Sequence, residues 1–278
     1  MTPRDLILIW SERFRAAGIP DPAVDASLLL SFLTERPPLI LRLDADTELD
    51  NDLILTFESL AFRRLKREPL QYILREGVFC GRVFHVDPRV LIPRPETELL
   101  CEWAEDLLSR FDSADILDLC CGSGCIGISV KLDHPSVSVF CSDVSHDALQ
   151  VARANASRLH ADVRFVQGDL FSPWGNRCFH MIICNPPYIP SDDCLSLQPE
   201  VLREPLSALD GGPDGLSIYR RICMESPRHL MPGGILLMEL GDGESDMVES
   251  LMLNAGFSSV TVRCDYQALP RMICGTLN

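Results

Sequence analysis

In the first 75 residues, apolar side chains recur every three or four positions, which is the spacing of one face of an α-helix. Two such series are Leu6, Ile7, Trp10 and Phe14, and then Val24, Leu28 and Phe32. Each series begins after a polar residue followed by proline, Thr2-Pro3 and Asp21-Pro22, which is typical of a helix start. A third helix is predicted to begin near Thr47, and Pro69 to end the region. The pattern predicts a small helical domain over residues 1–75.

The next stretch carries short β-prone runs and prolines. Residues 77–86, GVFCGRVFHV, hold two such runs around Gly81 and predict a β-hairpin. We assign residues 76–92 to this hairpin and its linker. The prolines of LIPRPETELL (91–100) indicate a stiffened loop that leads into a helix ending near Leu108.

From Asp115 onward, short apolar runs alternate with helix-like stretches. The runs are ILDLC (116–120), VSVFC (137–141), VRFVQ (163–167), HMIIC (180–184) and ILLMEL (235–240). Nearly continuous apolar runs are typical of strands covered on both faces, and alternation with helices indicates a parallel, doubly wound sheet. Two later runs, VTVRC (260–264) and RMICGT (271–276), predict a terminal antiparallel hairpin. Residues 93–278 are therefore predicted to form a Rossmann-like α/β domain with seven strands.

Composition and charge narrow the classes of function. Apolar residues make up 46% of the 278 residues, enough for a substantial core. Lys and Arg number 25 against 40 Asp and Glu, so the formal net charge is −15. A protein held mainly by nucleic acid phosphates needs a strongly basic face. The balance favours a protein or small-molecule substrate over direct binding of nucleic acid.

Cysteine and histidine positions disfavour a metal site. The chain has 12 cysteines but no C-x-x-C pair, and its six histidines are scattered, so we expect no metal. The first residues, MTPRDLILIWSERFR, do not resemble a secretory signal. No run approaches the roughly 20 apolar residues that a membrane span needs. We expect a cytoplasmic protein with reduced thiols and no membrane partner.

A glycine-rich loop follows the first predicted strand of the α/β domain and opens a helix: Asp118-Leu-Cys-Cys-Gly122-Ser-Gly124-Cys-Ile-Gly127. Glycines let the backbone approach a ligand closely, and a helix start offers unpaired N–H groups. Asp143 ends the next predicted strand, where a carboxylate accepts hydrogen bonds from ribose hydroxyls. The glycine spacing alone also fits an NAD enzyme. Acids at Asp118 and Asp143 suit the cationic S-adenosylmethionine better than a pyrophosphate, and Asp169 is placed to reach an adenine amino group.

The tetrapeptide Asn185-Pro186-Pro187-Tyr188 follows the apolar strand HMIIC, at the sheet edge where open α/β folds bind their ligands. It suits methyl transfer to a planar NH₂ nitrogen, whose lone pair is delocalised. The side-chain oxygen of Asn185 and the carbonyl of Pro186 can accept its two hydrogens, and a Pro-Pro pair has no backbone N–H to compete. Tyr188 can lie against the planar group and the sulfonium methyl. Hydride transfer has no use for this tetrapeptide, which removes the NAD alternative.

With these motifs, the chain resembles the release-factor-specific protein-(glutamine-N5) methyltransferases of the HemK/PrmC type. The resemblance covers nearly the whole chain. Its blocks are EPLQYILREGVFCGRVFHV (68–86), VLIPRPETELL (90–100), LDLCCGSGCIGI (117–128), QGDLF (167–171), NPPYIP (185–190), EPLSALDGGPDGLSIYRRI (204–222) and LMPGGILLMELG (230–241). It implies a class I methyltransferase fold and methylation of the glutamine in the Gly-Gly-Gln loop of class I peptide-chain release factors. The helical domain would help to dock that partner, and the protein would be a monomer.

The resemblance also implies roles for individual residues. The cofactor S-adenosylmethionine would be held by Asp118, Cys120, Cys121, Gly122, Ser123, Gly124, Asp143, Asp169, Leu170 and Asn185. The tetrapeptide would grip the glutamine amide. Arg94 and Glu96 are interpreted as hinge and capping residues, and residues 210–215 as a tight loop near the pocket. The chain departs from the family where Cys120 replaces the first loop glycine, so that position must have a negative φ or tolerate strain. It also lacks the expected acid–arginine pair before the last strand, which Arg271 partly replaces.

Three alternatives remain at this point: glutamine methylation on a ribosomal protein, amine methylation on a nucleic acid base, and a silent S-adenosylmethionine-binding adaptor. A base-flipping enzyme would have a basic groove and additional aromatic residues. The chain is acidic with 7% aromatic residues, and the tetrapeptide is intact. Residues 1–80 carry 10 basic and 13 acidic residues, against 15 and 27 in residues 81–278. We therefore expect the catalytic domain to attract a basic partner loop, and salt to weaken that binding.

Overall fold

The computed structural model of the chain describes residues 1–43, 47–111 and 113–278. These form two compact units. The first comprises Met1–Arg75 together with Gln198–Arg203, and the second comprises Glu76–Leu197 and Glu204–Asn278. The spacing of apolar residues did not predict that Gln198–Arg203 belongs to the first unit.

The first unit is helical, with α1 at Pro3–Ala16, α2 at Pro22–Thr34, α3 at Pro38–Leu43, α4 at Asn51–Leu65 and α5 at Leu70–Leu74. Thr2 caps α1 as predicted, in a reciprocal capping box with Asp5. Asp21 occupies the cap position of α2 without a side-chain hydrogen bond. The helix predicted from Thr47 begins only at Asn51, because the Asp50 side chain accepts the Asp52 N–H and starts it there. Helix α3 was not predicted, and Pro69 is followed by α5 rather than by the end of the helical region.

The core of the helical unit is aromatic and aliphatic, and it is bordered by a buried charge cluster. Trp10, Phe14 and Phe57 are fully buried. Arg64 donates to Asp25 at 2.6 Å and lies 2.8 Å from Glu200. Arg67 donates to both carboxylate oxygens of Glu200, at 2.7 and 2.6 Å. Two arginines and one carboxylate thus hold the Gln198–Arg203 segment to this unit.

The second unit opens with a hairpin, β1 at Glu76–Phe79 and β2 at Arg82–His85, followed by α6 at Pro95–Leu108. Its main sheet contains β3 at Asp115–Leu119, β4 at Ser138–Asp143, β5 at Val163–Gln167, β6 at Phe179–Cys184, β9 at Leu230–Glu239, β10 at Phe257–Cys264 and β11 at Pro270–Leu277. The strand order is β10-β11-β9-β6-β3-β4-β5. Strand β11 runs in the opposite direction to the other six strands. The predicted seven-stranded, mostly parallel sheet is confirmed.

Helices cover both faces of this sheet. They are α7 at Cys125–Asp133, α8 at His146–Leu159, α9 at Ser217–Glu225 and α10 at Ser245–Asn254, together with α6. Successive residues of β3 enter opposite cores, Ile116 on one side and Leu117 on the other. Both are fully buried, which explains the continuous apolar runs. Two very short strands, β7 at Ile189–Pro190 and β8 at Asp210–Gly212, pair in parallel outside the main sheet.

Within the described ranges, no helix is both long and apolar enough to cross a membrane. The described residues also contain no cluster of three or more His, Cys, Asp or Glu side chains suited to a metal ion. All 12 cysteines are free thiols.

Candidate active site

A cleft of about 800 Å³, counted out to open solvent, lies at the carboxyl ends of β3, β4 and β6 in the second unit. Seven of the predicted site residues line it: Cys120, Gly122, Asp143, Asp169, Leu170, Asn185 and Pro187. The predicted glycine loop and tetrapeptide therefore meet in one cleft. This is the edge at which parallel α/β sheets bind ligands.

The glycine loop turns from β3 into α7 through left-handed backbone. Gly122 and Gly124 have φ of +52° and +78°, and Gly124 is the N-cap of α7. The Gly122 N–H donates to Asp143 Oδ2 at 2.9 Å, and Ser145 N–H donates to Oδ1 at 2.8 Å. Burial raises the pKa of Asp143. Its carboxylate lines the cleft while retaining free lone pairs for a ligand.

Asp118 lies beneath the cleft rather than in it. Its side chain is fully buried, and Oδ2 accepts the Gly127 N–H at 2.8 Å. A Cβ on Gly127 would lie 2.5 Å from Cys141 Sγ, so the third glycine allows α7 to pack closely on the sheet. Burial raises the pKa of Asp118 to about 7. Its other oxygen has no partner among the described residues, so Asp118 acts on the loop's conformation.

Three more predicted loop residues, Cys121, Ser123 and Gly124, are buried behind the cleft wall. Cys120 does line the cleft, with φ of +60°. The sequence allowed either a negative φ at this position or tolerated strain. The structure shows the second, because Cys120 has a left-handed backbone conformation. Leu170 lines the cleft in the same conformation, with φ of +46°. Of the nine non-glycine residues with positive φ in the described part of the chain, Cys120 and Leu170 are the two that line the cleft.

Asp169 follows β5 by two residues and faces the same cleft. Its side chain is 57% exposed and accepts from the Arg221 guanidinium at 2.8 Å. One carboxylate oxygen is engaged by Arg221 and the other is open to solvent or to a ligand. Arg221 was not predicted to be near the site.

The tetrapeptide leaves β6 with Asn185 and Pro187 on the cleft wall. Pro186 is buried and Tyr188 is half-buried. Asn185 Nδ2 donates to Thr97 Oγ1 at 3.2 Å, and Thr97 Oγ1 donates to Glu239 Oε2 at 2.6 Å. The Tyr188 hydroxyl makes a longer contact of 3.4 Å to Glu239 Oε1. Burial raises the pKa of Glu239 to about 7 and raises that of Tyr188.

The 210–215 segment supports Tyr188 from behind. Ile189 of β7 pairs with Asp210 of β8, whose carboxylate accepts from Ser191 Oγ at 2.7 Å and from the Gly212 N–H at 2.8 Å. A Cβ on Gly211 would lie 2.7 Å from the Tyr188 Cα. The glycines of this segment therefore permit a close backbone contact that holds the tetrapeptide.

Arg94 and Glu204 join two segments of the chain that both contribute residues to the cleft lining. Glu204 accepts from the Arg94 guanidinium and from the Ile92 N–H, the latter at 2.9 Å. The Glu204 side chain is 1% exposed. Arg94 is also the N-cap residue of α6, without a side-chain capping bond, and Glu96 lies in that helix's first turn. Val90 and Leu91, which precede Arg94, and Pro205 and Ser207, which follow Glu204, line the cleft.

The sequence interpretation missed Thr97, Glu239 and Glu204. Glu239 had one signal in the sequence, an acid between the apolar residues Met238 and Leu240. It also missed the acid–arginine pair before the last strand, which Asp265 and Arg271 form across the β10–β11 turn, with 3.3 Å between them.

Comparison with known proteins agrees with this geometry. A PrmC N-terminal domain model matches residues 5–74, and a methyltransferase small domain model matches residues 75–212. The release factor glutamine methyltransferase of Geobacter sulfurreducens is 38% identical over 273 residues, covering 98% of this chain and 95% of the relative. The chain belongs to the release factor glutamine methyltransferase family. The Chlorobaculum tepidum member is 40% identical over 271 residues, covering 93% of this chain and 91% of that protein.

Solved structures agree at the level of the fold. The catalytic domain of hMettl16 in complex with an RNA hairpin superposes with a TM-score of 0.59 at 14% identity, covering 90% of this chain and 92% of that one. A methyltransferase from Pyrococcus furiosus gives a TM-score of 0.53 at 19% identity, covering 71% of this chain and 89% of that one. The second unit therefore has the methyltransferase fold that the sequence predicted.

Proposed function

We propose that this family member transfers the methyl group of S-adenosylmethionine to the side-chain amide nitrogen of the glutamine in the Gly-Gly-Gln motif of class I peptide-chain release factors. The observation that carries the proposal is the family's full-length match, found together with Asn185 on the wall of the cleft. The relatives are named release factor glutamine methyltransferases. The intact tetrapeptide supports the same chemistry here.

The cleft residues fit S-adenosylmethionine. Asp143 would accept hydrogen bonds from the ribose hydroxyls, and the open oxygen of Asp169 would accept from the adenine amino group. Leu170 offers an apolar contact to the adenine ring. Cys120 and Gly122 border the end of the cleft where the loop enters α7. We assign Asp118 an indirect role, because it is buried and shapes this loop through the Gly127 N–H.

When bound, S-adenosylmethionine supplies an electrophilic methyl group on a positively charged sulfur. The chain must present the glutamine nitrogen to it as a nucleophile. Asn185 Oδ1 and the Pro186 carbonyl would accept the two amide hydrogens and fix the plane of the NH₂ group. Tyr188 would cover that plane. As the N–C bond forms and the S–C bond breaks, the nitrogen loses one proton to water.

Orientation accounts for most of this catalysis. Holding two reactants in the right geometry supplies about 7–11 kcal/mol of a barrier. A neutral Asn is sufficient, because a methylated, protonated amide is a strong acid and releases its proton without a base. We also propose that the helical unit docks the release factor, that the protein acts as a monomer in the cytoplasm, and that nucleic acid is not a direct partner.

The decisive experiment is incubation of the purified protein with S-adenosylmethionine and a class I release factor, followed by peptide mass spectrometry. We expect a +14 Da shift on the peptide with the Gly-Gly-Gln glutamine. A release factor in which that glutamine is alanine should show none. Parallel reactions with ribosomal proteins and with RNA test the alternatives, and a shift confined to either of those would overturn the proposal.

A further inference from the structure

The side chain of Asn185 needs a defined orientation, because its amide has an oxygen and an NH₂ group that are almost equal in shape. Only the oxygen can accept a hydrogen from a substrate amide. In the structure Nδ2 points away from solvent to Thr97 Oγ1, at 3.2 Å. Within the described residues no hydrogen bond is made to Oδ1, and Asn185 lines the cleft. Some feature of the protein must therefore keep the NH₂ group on the Thr97 side.

That feature is the direction of the Thr97 hydroxyl bond. A threonine hydroxyl has one hydrogen, and Glu239 Oε2 lies 2.6 Å from Thr97 Oγ1. An ionised carboxylate can only accept, so with Glu239 ionised the hydrogen is donated to it and only lone pairs of Oγ1 face Asn185. If the Asn185 amide were inverted, its Oδ1 would face Thr97 Oγ1 with no hydrogen between them, and the two oxygens would repel each other. Thr97 and Glu239 are 2% and 1% exposed, so water cannot offer a substitute partner.

We propose that Thr97 and Glu239 are positioning residues, which orient the Asn185 amide so that its oxygen receives the substrate. Glu239 uses its second oxygen for the Tyr188 hydroxyl, at 3.4 Å. One buried carboxylate thereby constrains both ends of the tetrapeptide. Neither residue touches the substrate, and the inference rests on the proposed function of Asn185.

Kinetics with a release factor at pH 8, above the pKa of about 7 to which burial raises Glu239, test the proposal first. Thr97→Val keeps the side-chain shape and removes the hydroxyl, and we expect kcat to fall at least about 10-fold, the effect of one lost buried hydrogen bond. Thr97→Ser should restore kcat to within about threefold. The Kd for S-adenosylmethionine, measured by calorimetry, should stay unchanged in both. Ser226→Ala, a fully buried serine outside the cleft lining, is the control for loss of a buried hydroxyl.

A double-mutant cycle tests whether the two residues act as one chain. Glu239→Leu should reduce kcat at least as much as Thr97→Val, because it also frees Tyr188. The double variant should be no slower than Glu239→Leu alone. Losses that multiply, a Thr97→Val enzyme within threefold of wild type, or a serine variant as slow as the valine variant would each overturn the proposal.

A measurement without substrate separates this inference from the proposed function. In ¹⁵N-labelled protein, the side-chain NH₂ signals of Asn185 can be identified by their loss in Asn185→Ala. We expect Thr97→Val and Glu239→Leu to move these signals and to accelerate their hydrogen exchange, whereas Thr97→Ser and Ser226→Ala leave them in place. Unmoved signals in the valine variant overturn the positioning role. A wild-type enzyme that fails to methylate any release factor while the signals move as expected refutes the substrate assignment alone.

Discussion

Replacement of Asp118 by asparagine should stabilise the protein in alkaline solution. Asp118 is fully buried, and Gly127 donates the only backbone hydrogen bond to its carboxylate within the described residues. Burial raises its pKa from 3.8 to about 7, which corresponds to about 4 kcal/mol of unfavourable free energy once the group is ionised. Because this pKa is higher in the folded state, the folded protein binds the proton more tightly. Stability therefore falls as the pH rises from about 4 to about 7.

The assay is urea unfolding of wild type and Asp118→Asn at pH 5.5 and pH 8.5, both above the isoelectric point of about 4.8. At pH 5.5 the unfolded chain is already ionised, so about 2 kcal/mol of the effect should remain to develop by pH 8.5. The free energy of unfolding of the variant should gain that amount relative to wild type over this interval. Asp162→Asn, at an exposed position, is the control. If the difference in free energy of unfolding between Asp118→Asn and wild type does not change with pH, the buried Asp118 carboxyl is not the source of the pH dependence.

Three further results are expected. Asn185→Ala should lower the rate of methyl transfer about 100-fold or more, as loss of one preorganised hydrogen-bonding group does. The Kd for S-adenosylmethionine should stay within a few-fold of wild type. Near-normal transfer, measured by mass spectrometry, would contradict the role of Asn185 in binding the glutamine amide. Glu204→Ala should cost about 1–3 kcal/mol by thermal unfolding, since it leaves Arg94 and the Ile92 N–H without their shared acceptor. It should also weaken cofactor binding, because the pair joins two segments that line the cleft; an unchanged cofactor affinity would limit Glu204 to a role in stability. Raising NaCl from 50 to 500 mM should weaken release factor binding several-fold, and a Kd independent of salt would remove the proposed charge attraction.

Five of the seven strands of the main sheet were predictable because they contain buried apolar runs, and the more exposed β5 and β10 were predictable from their β-prone residues. The predicted run 180–184 corresponds to the strand Phe179–Cys184, and the predicted run 163–167 corresponds to the strand Val163–Gln167. Short elements were not predictable. Strand β7 has two residues and β8 has three, and each exists because its partner lies beside it. Helix α3 was missed because its six residues are too few to show a period.

The residues of the candidate site were likewise only partly predictable from the sequence. Asn185 and Asp143 were identified because they lie at the carboxyl ends of strands that finish at one sheet edge. Thr97 lies 88 residues before Asn185 and 142 before Glu239, so no local spacing links them. Asp118 was identified for its charge, but the fold places that charge under the loop. Burial of a side chain depends on tertiary packing, which the motif itself does not encode.

The Gln198–Arg203 segment has a consequence for how the gene can be divided. The helical unit is discontinuous in sequence, because six of its residues, Gln198–Arg203, are encoded between the tetrapeptide and Glu204. A fragment ending at Arg75 would lack Glu200, the acid that both Arg64 and Arg67 contact. A cut after Arg75 leaves every residue of the second unit in one fragment, but no single cut yields the helical unit intact. Exchange of the helical unit between family members requires transplanting the six-residue segment as well, and grafts that omit it should express as unstable chimeras.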